Sequence, residues 1–363
     1  MPRPGPLGHV PLDRVCIVMM SAVGDAVHTL PVVTALKRAH PAMHLTWVLQ
    51  PGPASLVRGH PDVDEIIVFD RARGWQAFAD VRQALATRRF DVVLALQVYF
   101  KAGLVTSFTQ APVKLGFDRA RARDGNWLFT TDRIAPHPTG QHVQDQYFEF
   151  LDTLGVPHDP IQWGLGPWDS ERDWQREFIA AAPAPIAAIV VATSKAQKDW
   201  LPERWAEVCD ILVERHGLHP VLVGGTSARE RAAEATIMQR ARHSPRSMLG
   251  SGLRKLVGIL DASAVVLSPD TGPLHMAVAL GAPTISLVGY TNPKRVGPYR
   301  RWHDLLIDAY GDPGEEYPLS ADYRLDRMPR ISVDDVADRL AHWERTHRDA
   351  RMAELHDRAH RND

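Results

Sequence analysis

Residues 15–39 read VCIVMMSAVGDAVHTLPVVTALKRA. The opening VCIVMM is an unbroken apolar run of strand length, the mark of a strand covered on both faces. SAVGD is a turn. Over residues 26–39 Leu30, Val33 and Leu36 recur near helical spacing, so a helix is expected, with Pro31 in its first turn, where proline is tolerated. A buried strand that passes through a short turn into a helix is the building block of a parallel sheet with helices on both faces. The block recurs. Residues 45–49, 65–69 and 91–96 read as strands, with a helix over 75–88. Beyond an Ala-rich stretch with Pro183 and Pro185, read as a linker, the pattern restarts. Strands are expected at 186–191, 220–223, 264–267 and 284–288, and helices at 202–216, 227–242 and 272–280. A last helix over 331–343 shows Val333, Val336 and Leu340 on one face.

Two doubly wound α/β units follow: an N-terminal domain over 1–170 and a C-terminal domain over 183–330, with the helix at 331–347 expected to pack back on the first. Ligands of open α/β sheets bind beyond the carboxyl ends of the strands. Two lobes can present those ends to each other across a cleft. Each lobe has a strand, a short loop with Gly and Asp, and a helix bearing His: Asp25 then His28, and Asp270 then His275.

The chain has 363 residues, 45% of them hydrophobic, enough for two buried cores. Its 42 basic and 43 acidic residues leave a net charge of -1, which excludes a dedicated nucleic-acid binder with a strong global field. Two cysteines, Cys16 and Cys209, exclude a disulfide scaffold and a Cys-rich zinc site, and each sits in an apolar run. A reducing, cytoplasmic setting is expected. Residues 1–12 hold three prolines before His9 and no apolar core, so no signal peptide is read there. The tail over 345–363, rich in His, Arg and Asp, reads as a solvated or frayed helical end.

Four loops carry the candidate chemistry. In Ser21–Asp25, Gly24 permits a close approach, and Asp25 is either a helix cap or a general base. The loop lacks GxGxxG, so a dinucleotide fingerprint is not supported. Residues 268–275 read SPDTGPLH at a strand end, where the N–H groups of a helix start offer an anion site. Thr271 adds a donor, Gly272 lets the backbone come close, and Pro273 suits a first helical turn. Thr193-Ser194-Lys195 and Lys198 set hydroxyls and ammonium groups after another strand, and Gly224-Gly225-Thr226 with Arg229 and Glu230 closes a third. Such loops can hold a nucleotide's phosphates and ribose without metal; capped helices and solvated loops are the plainer alternative. Asp62-Val63-Asp64 spells the DxD by which some transferases hold a divalent ion, but it lies in a turn before a strand and is read as structural. HExxH and GxSxG are absent, so a zinc protease site and serine hydrolysis find no support.

These residues resemble glycosyltransferase family 9, the ADP-heptose:lipopolysaccharide heptosyltransferases. The resemblance rests on SAVGDAVHTLPVVTALKRAHP at 21–41, GHPDVDEII at 59–67, KDWLPERWAEV at 198–208 and SPDTGPLHMAVALGAPTISLVG at 268–289, with Pro293 and Gly297-Pro298-Tyr299 beyond. It implies a GT-B fold of two Rossmann-like domains facing each other across a cleft. It also implies metal-independent transfer of a heptose from ADP-heptose, with inversion, to a sugar hydroxyl of lipopolysaccharide inner core or a related glycan. No cofactor is implied beyond the nucleotide sugar. Asp25 would be the catalytic base and Lys198 the neutraliser of the donor diphosphate. Thr193 and Ser194 would lie beside the phosphates and Glu230 near the ribose, with Asp270, Thr271, Gly272 and His275 as the donor motif. An acidic acceptor calls for basic groups on the first domain, so Lys101, Lys114, Arg119 and Arg121, with Ser21, are its candidate contacts. The acceptor also implies peripheral contact with the cytoplasmic face of the inner membrane. Two features depart from the family: Tyr290 stands where proline is common, and cysteines are missing between Tyr310 and Arg330. They leave open transfer of another sugar. An epimerase or hydrolase of nucleotide sugars on the same fold is the rival reading.

Overall fold

The structure, a computed structural model, describes residues 5–137 and 140–360. The chain divides into two compact units, Met1–Leu165 and Gly166–Asp363. Among the described residues no helix is long and apolar enough to cross a membrane.

The first unit runs β1 (Arg14–Val18), α1 (Val23–Ala39), β2 (His44–Leu49), α2 (Pro51–Val57), β3 (Glu65–Val68), α3 (Trp75–Leu85), β4 (Val92–Ala95), α4 (Phe100–Ser107), β5 (Val113–Gly116), β6 (Asp132–Arg133) and α5 (Val143–Leu154). All strands are parallel, in the order β3-β2-β1-β4-β5-β6. The winding reverses between β1 and β4, which lie side by side. Cys16, Val18, Val48, Val81, Leu85 and Val93 share one core cluster, which explains the unbroken apolar strands. α1 is buried from Ala26 to Leu36. Pro31 is its ninth residue, not part of its first turn. Burial around the helix, rather than intrinsic propensity, holds it across the proline.

The second unit runs α6 (Asp169–Ala180), β7 (Ile186–Val190), α7 (Pro202–His216), β8 (His219–Val223), α8 (Ala228–Arg240), β9 (Arg246–Ser247), α9 (Leu253–Ala262), β10 (Val265–Pro269), α10 (Gly272–Ala279), β11 (Thr284–Val288), α11 (Pro293–Val296), β12 (Leu306–Asp308), α12 (Val333–Thr346) and α13 (Arg348–His360). Its parallel sheet is ordered β12-β11-β10-β7-β8-β9, so the same Rossmann-like winding occurs twice and reverses here between β7 and β10.

Three expectations change. The interval left between the two expected domains, 171–182, is not a bare connection, since α6 occupies most of it and buries Gln175 and Phe178. The helix expected to return to the first domain instead completes the second: Val336, Leu340 and Trp343 of α12 share a core with Trp200, Trp205 and Leu212. Trp200 Nε1 fastens the approach to α12 by donating to Ile331 O at 3.0 Å. The tail is not frayed over its described part. α13 is anchored by Arg351, 2% exposed, whose guanidinium donates to Ser263 O (3.1 Å) and Asp261 O (2.5 Å). An arginine does the anchoring that apolar side chains usually do, so the hydrophobic pattern carried no sign of it.

Candidate active site

In the second unit the chemistry-bearing loops all leave the carboxyl edge of the sheet. After β7 the chain closes a tight turn: Thr193 N–H donates to Asp199 Oδ1 (2.6 Å) and its hydroxyl to Lys195 O (2.7 Å). Arg229, from α8, braces the turn by donating to Thr193 O at 2.6 Å. The turn delivers Lys198, whose Nζ donates to Asp270 Oδ2 at 2.5 Å. Lys198 follows β7 and Asp270 follows β10, the two strands between which the winding reverses. That is where an open α/β sheet parts its loops and leaves room for a ligand.

Asp270 is buried, with its side chain 6% exposed. Its Oδ2 also accepts the Thr291 hydroxyl, and His275 Nε2 lies 3.7 Å from its Oδ1. Burial pushes this carboxyl up, but the neighbouring His275 imidazole and the Lys198 charge outweigh burial and hold it well below the usual carboxylate range. Asp270 is therefore a fixed anion that orients a lysine. Beside it α10 begins at Gly272 behind Thr271; Pro273 carries no N–H and Leu274 N–H turns back to Thr271 O at 3.1 Å, so the Gly272 N–H is the first-turn donor left without an acceptor within the helix. An ammonium group, a hydroxyl and a helix start converge on one strand end, an arrangement suited to a diphosphate.

Ser194 is exposed in the same loop. Glu230, the third residue of α8, closes a capping box: it accepts from Ser227 N (2.9 Å), Ser227 Oγ (2.6 Å) and Gly225 N (2.5 Å). Burial raises its carboxyl, and these bonds prevail and lower it. A Cβ on Gly225 would come within 2.9 Å of Glu230 Oε2. Gly225→Ala is therefore expected to evict the carboxylate and cost about 1 kcal/mol of capping. A thermal melt checks this; an unchanged melting temperature would show that the cap contributes nothing.

In the first unit the equivalent reversal lies between β1 and β4. Gln97, just past β4, donates to Ser21 O (2.6 Å) and accepts from Met20 N (3.0 Å), fixing the loop after β1. Asp25 is the third residue of α1 and is half-buried. Its Oδ2 accepts from Ala22 N–H at 2.8 Å. His28 is buried, with Nδ1 3.1 Å from Gln144 Oε1 and with its carbonyl accepting from Gln144 Nε2 at 2.8 Å. The two Asp–His echoes differ: His275 lies near the Asp270 carboxylate, whereas His28 is held by a glutamine of α5.

The acceptor candidates separate. Ser21, Lys101 and Arg119 follow the carboxyl ends of β1, β4 and β5. Arg119 lies 3.9 Å over the Trp127 ring. Lys114 sits inside β5, level with Val93 and Cys16, away from that rim. Arg121 belongs to the scaffold: its side chain is 7% exposed, it pairs with Asp118 and Glu149, and it donates to Ala135 O. Burying those two carboxylates requires a cation there, so Arg121 is not available as an acceptor contact. In the DxD turn, Asp64 pairs with Lys37 at 2.8 Å and accepts from Leu45 N at 2.7 Å, a scaffold role.

The family model described as glycosyltransferase family 9 (heptosyltransferase) matches residues 78–311. The chain belongs to glycosyltransferase family 9. It is similar to the lipopolysaccharide core heptosyltransferase OpsX of Haemophilus influenzae, with 30% identity over 331 residues, 88% of this chain and 94% of that one. It is also similar to lipopolysaccharide heptosyltransferase 1 of Pseudomonas aeruginosa, with 30% identity over 300 residues, 79% and 82% of the two chains. Among solved structures, the family 9 glycosyl transferase of Veillonella parvula superposes with a TM-score of 0.77 at 20% identity, covering 92% of this chain and 97% of that one. The E. coli heptosyltransferase WaaC with ADP superposes with a TM-score of 0.72 at 23% identity, covering 92% and 99%. These likenesses carry the two-domain GT-B fold. The family 9 match takes in every loop around Asp270 and begins after Asp25.

Three residues of this glycosyltransferase escaped the sequence reading. Thr291 joins Asp270 from the end of the neighbouring strand. Gln97 joins the Ser21 loop, and Gln144 joins His28. Thr291 alone had a signal, a hydroxyl just past a buried strand adjacent to β10.

Proposed function

We propose that this family 9 enzyme transfers a heptose from ADP-heptose to a sugar hydroxyl of lipopolysaccharide core, with inversion and without a metal. The observation that supports it is the Lys198–Asp270 pair at the reversal of the second sheet, beside the start of α10. There the donor diphosphate meets Lys198, the Thr193–Ser194 turn and the Thr271–Gly272 N–H groups, and Glu230 lies by the ribose. As the anomeric C–O bond breaks, its electron pair goes to the diphosphate. Lys198 and the helix start stabilise that charge, the part a metal plays elsewhere. The acceptor hydroxyl attacks from the opposite face and gives its proton to Asp25, the general base. Ser21, Lys101 and Arg119 bind the acidic acceptor. Exposed Tyr99, Phe100 and Leu128 beside these cations suit peripheral contact with the membrane that carries it. Cytoplasmic work fits two buried free cysteines.

Calorimetric titration with ADP, UDP and GDP in EDTA tests the reading. ADP alone is expected to bind. Lys198→Ala should weaken it about 10- to 150-fold, the loss of one charge-assisted contact of about 1.5–3 kcal/mol. Preference for another nucleotide would discard ADP-heptose as donor. Unchanged ADP affinity would remove Lys198 from the site, and binding abolished by EDTA would discard metal independence.

A further inference from the structure

Away from the carboxyl edge, the second unit gathers three metal-ligating side chains that the transfer reaction does not use. Asp304 sits in the short turn before β12. His342 lies in the last turns of α12, and His347 at its junction with α13. Both imidazoles aim Nε2 at one oxygen, Asp304 Oδ2, at 3.0 Å from His342 and 2.6 Å from His347. The three ligand atoms lie within 4.8 Å of one another.

The backbone under each ligand is fixed independently. Leu305, next to Asp304, is fully buried, and Arg339 donates to Asp304 O at 2.7 Å. His347 N–H donates to the carbonyl of Trp343, itself fully buried, at 2.8 Å. The Trp302 ring stands edge-on to His347 with centroids 5.1 Å apart. Its indole Nε1 is buried without a protein partner. Asp304, His347 and Trp302 line a cavity of about 510 Å³ with Arg301, Glu354 and Arg358, large enough for water to complete a coordination shell.

We propose that Asp304, His342 and His347 bind a divalent transition cation of the zinc class, with water in the remaining position. Two imidazole nitrogens and one carboxylate are the ligand set of such ions, whereas magnesium and calcium take oxygen ligands. Metal–ligand bonds of about 2.0–2.1 Å in a tetrahedral site separate the ligand atoms by roughly 3.3 Å. The two N–O separations are within an ångström of that, so side-chain adjustments alone would admit the ion.

The placement gives the ion a structural role. Asp304 precedes its strand, so it lies at the amino edge of the sheet. The cavity is lined by Ala279, Leu280 and Gly281, at the far end of α10 from Gly272. Eight residues of helix separate the two sites, about 12 Å. The ion would tie the α12–α13 junction to the sheet, remote from the diphosphate loops.

The test uses the full chain without an affinity tag, stripped with EDTA and dialysed, then titrated with Zn²⁺ by calorimetry and with Co²⁺ by visible absorption. One equivalent is expected, with the d–d bands of four- or five-coordinate cobalt. Zinc at a hundredfold excess over its Kd should raise the melting temperature by about 5–10 °C. His342→Gln with His347→Gln should abolish both signals while ADP affinity stays unchanged at 25 °C. Should that double variant fail to fold, Asp304→Asn takes its place with the same expectation. Failure to bind either ion, or binding that survives these substitutions, overturns the site. The readouts are metal binding and melting, so they stand or fall separately from the donor assignment.

Discussion

Asp25→Asn is expected to lower kcat by about 10²- to 10⁴-fold, the usual contribution of a positioned general base. A neutral sugar hydroxyl attacks slowly at pH 7 unless its proton leaves in the same step. Asparagine matches the carboxylate in shape but has no basic oxygen. The substitution is informative because the structural role of Asp25 survives it. The amide oxygen can still accept from Ala22 N–H, the bond that the carboxylate makes at 2.8 Å. The start of α1 should therefore persist and the melting temperature change little. KM for the donor and ADP affinity should stay within about twofold, since an interaction made only in the transition state moves kcat alone. Turnover within tenfold of the parent enzyme would refute the base assignment. A collapse of stability would instead show that Asp25 is chiefly a cap.

Asp270→Asn is expected to destabilise the enzyme by about 3 kcal/mol, the low end for breaking a buried ion pair because Lys198 keeps 18% exposure and can partly rehydrate. For a protein with units of this size, that lowers the melting temperature by roughly 6–12 °C. Adding Lys198→Met should recover most of the loss, because two missing charges cost less than one orphaned charge. Equal melting of the parent and Asp270→Asn would defeat the argument. The pH dependence has a definite sign. Asp270 is held below its unfolded value, so its contribution is complete above about pH 4 and is lost as pH falls through the folded value. Acid unfolding of Asp270→Asn should therefore begin from a lower plateau and fall less steeply below that pH.

The double winding was legible because β1, β7, β10 and β11 are apolar runs buried on both faces, each followed by Gly, Asp or Thr. The bounds of α7 and β11 were read as the structure has them. Elements poor in apolar residues were not read, and α5 and α9 were not read despite their amphipathic faces. α6 follows Asp169 with Glu, Arg and Gln, and α13 docks through Arg351, a residue that ordinarily reports solvent. The domain that owns α12 was beyond the periodicity, which shows an apolar face without showing what that face meets. Among the candidate residues, Asp25, Lys198 and Asp270 stood out because each follows a strand end. Their partners did not: Lys198 meets Asp270 across 72 positions and His28 meets Gln144 across 116. Arg121 and Lys114 show the converse. Net positive charge in a segment marks where cations are, while a buried salt bridge or a mid-strand position decides whether a ligand can use them.

The contact between Lys198 and Asp270 also sets an entry threshold. The lysine already has an internal anion at 2.5 Å, so the protein supplies its own competitor for that position. A small free anion such as inorganic phosphate has Lys198 as its main contact and must share that ammonium group with Asp270. A ligand that also engages the Thr193 turn, the start of α10 and the Glu230 loop gains from contacts that the carboxylate does not satisfy. On the proposed donor reading, discrimination against the abundant simple phosphates of a cell would come from occupancy within the chain itself. It should weaken when Asp270 is neutralised, even where affinity for charge alone increases.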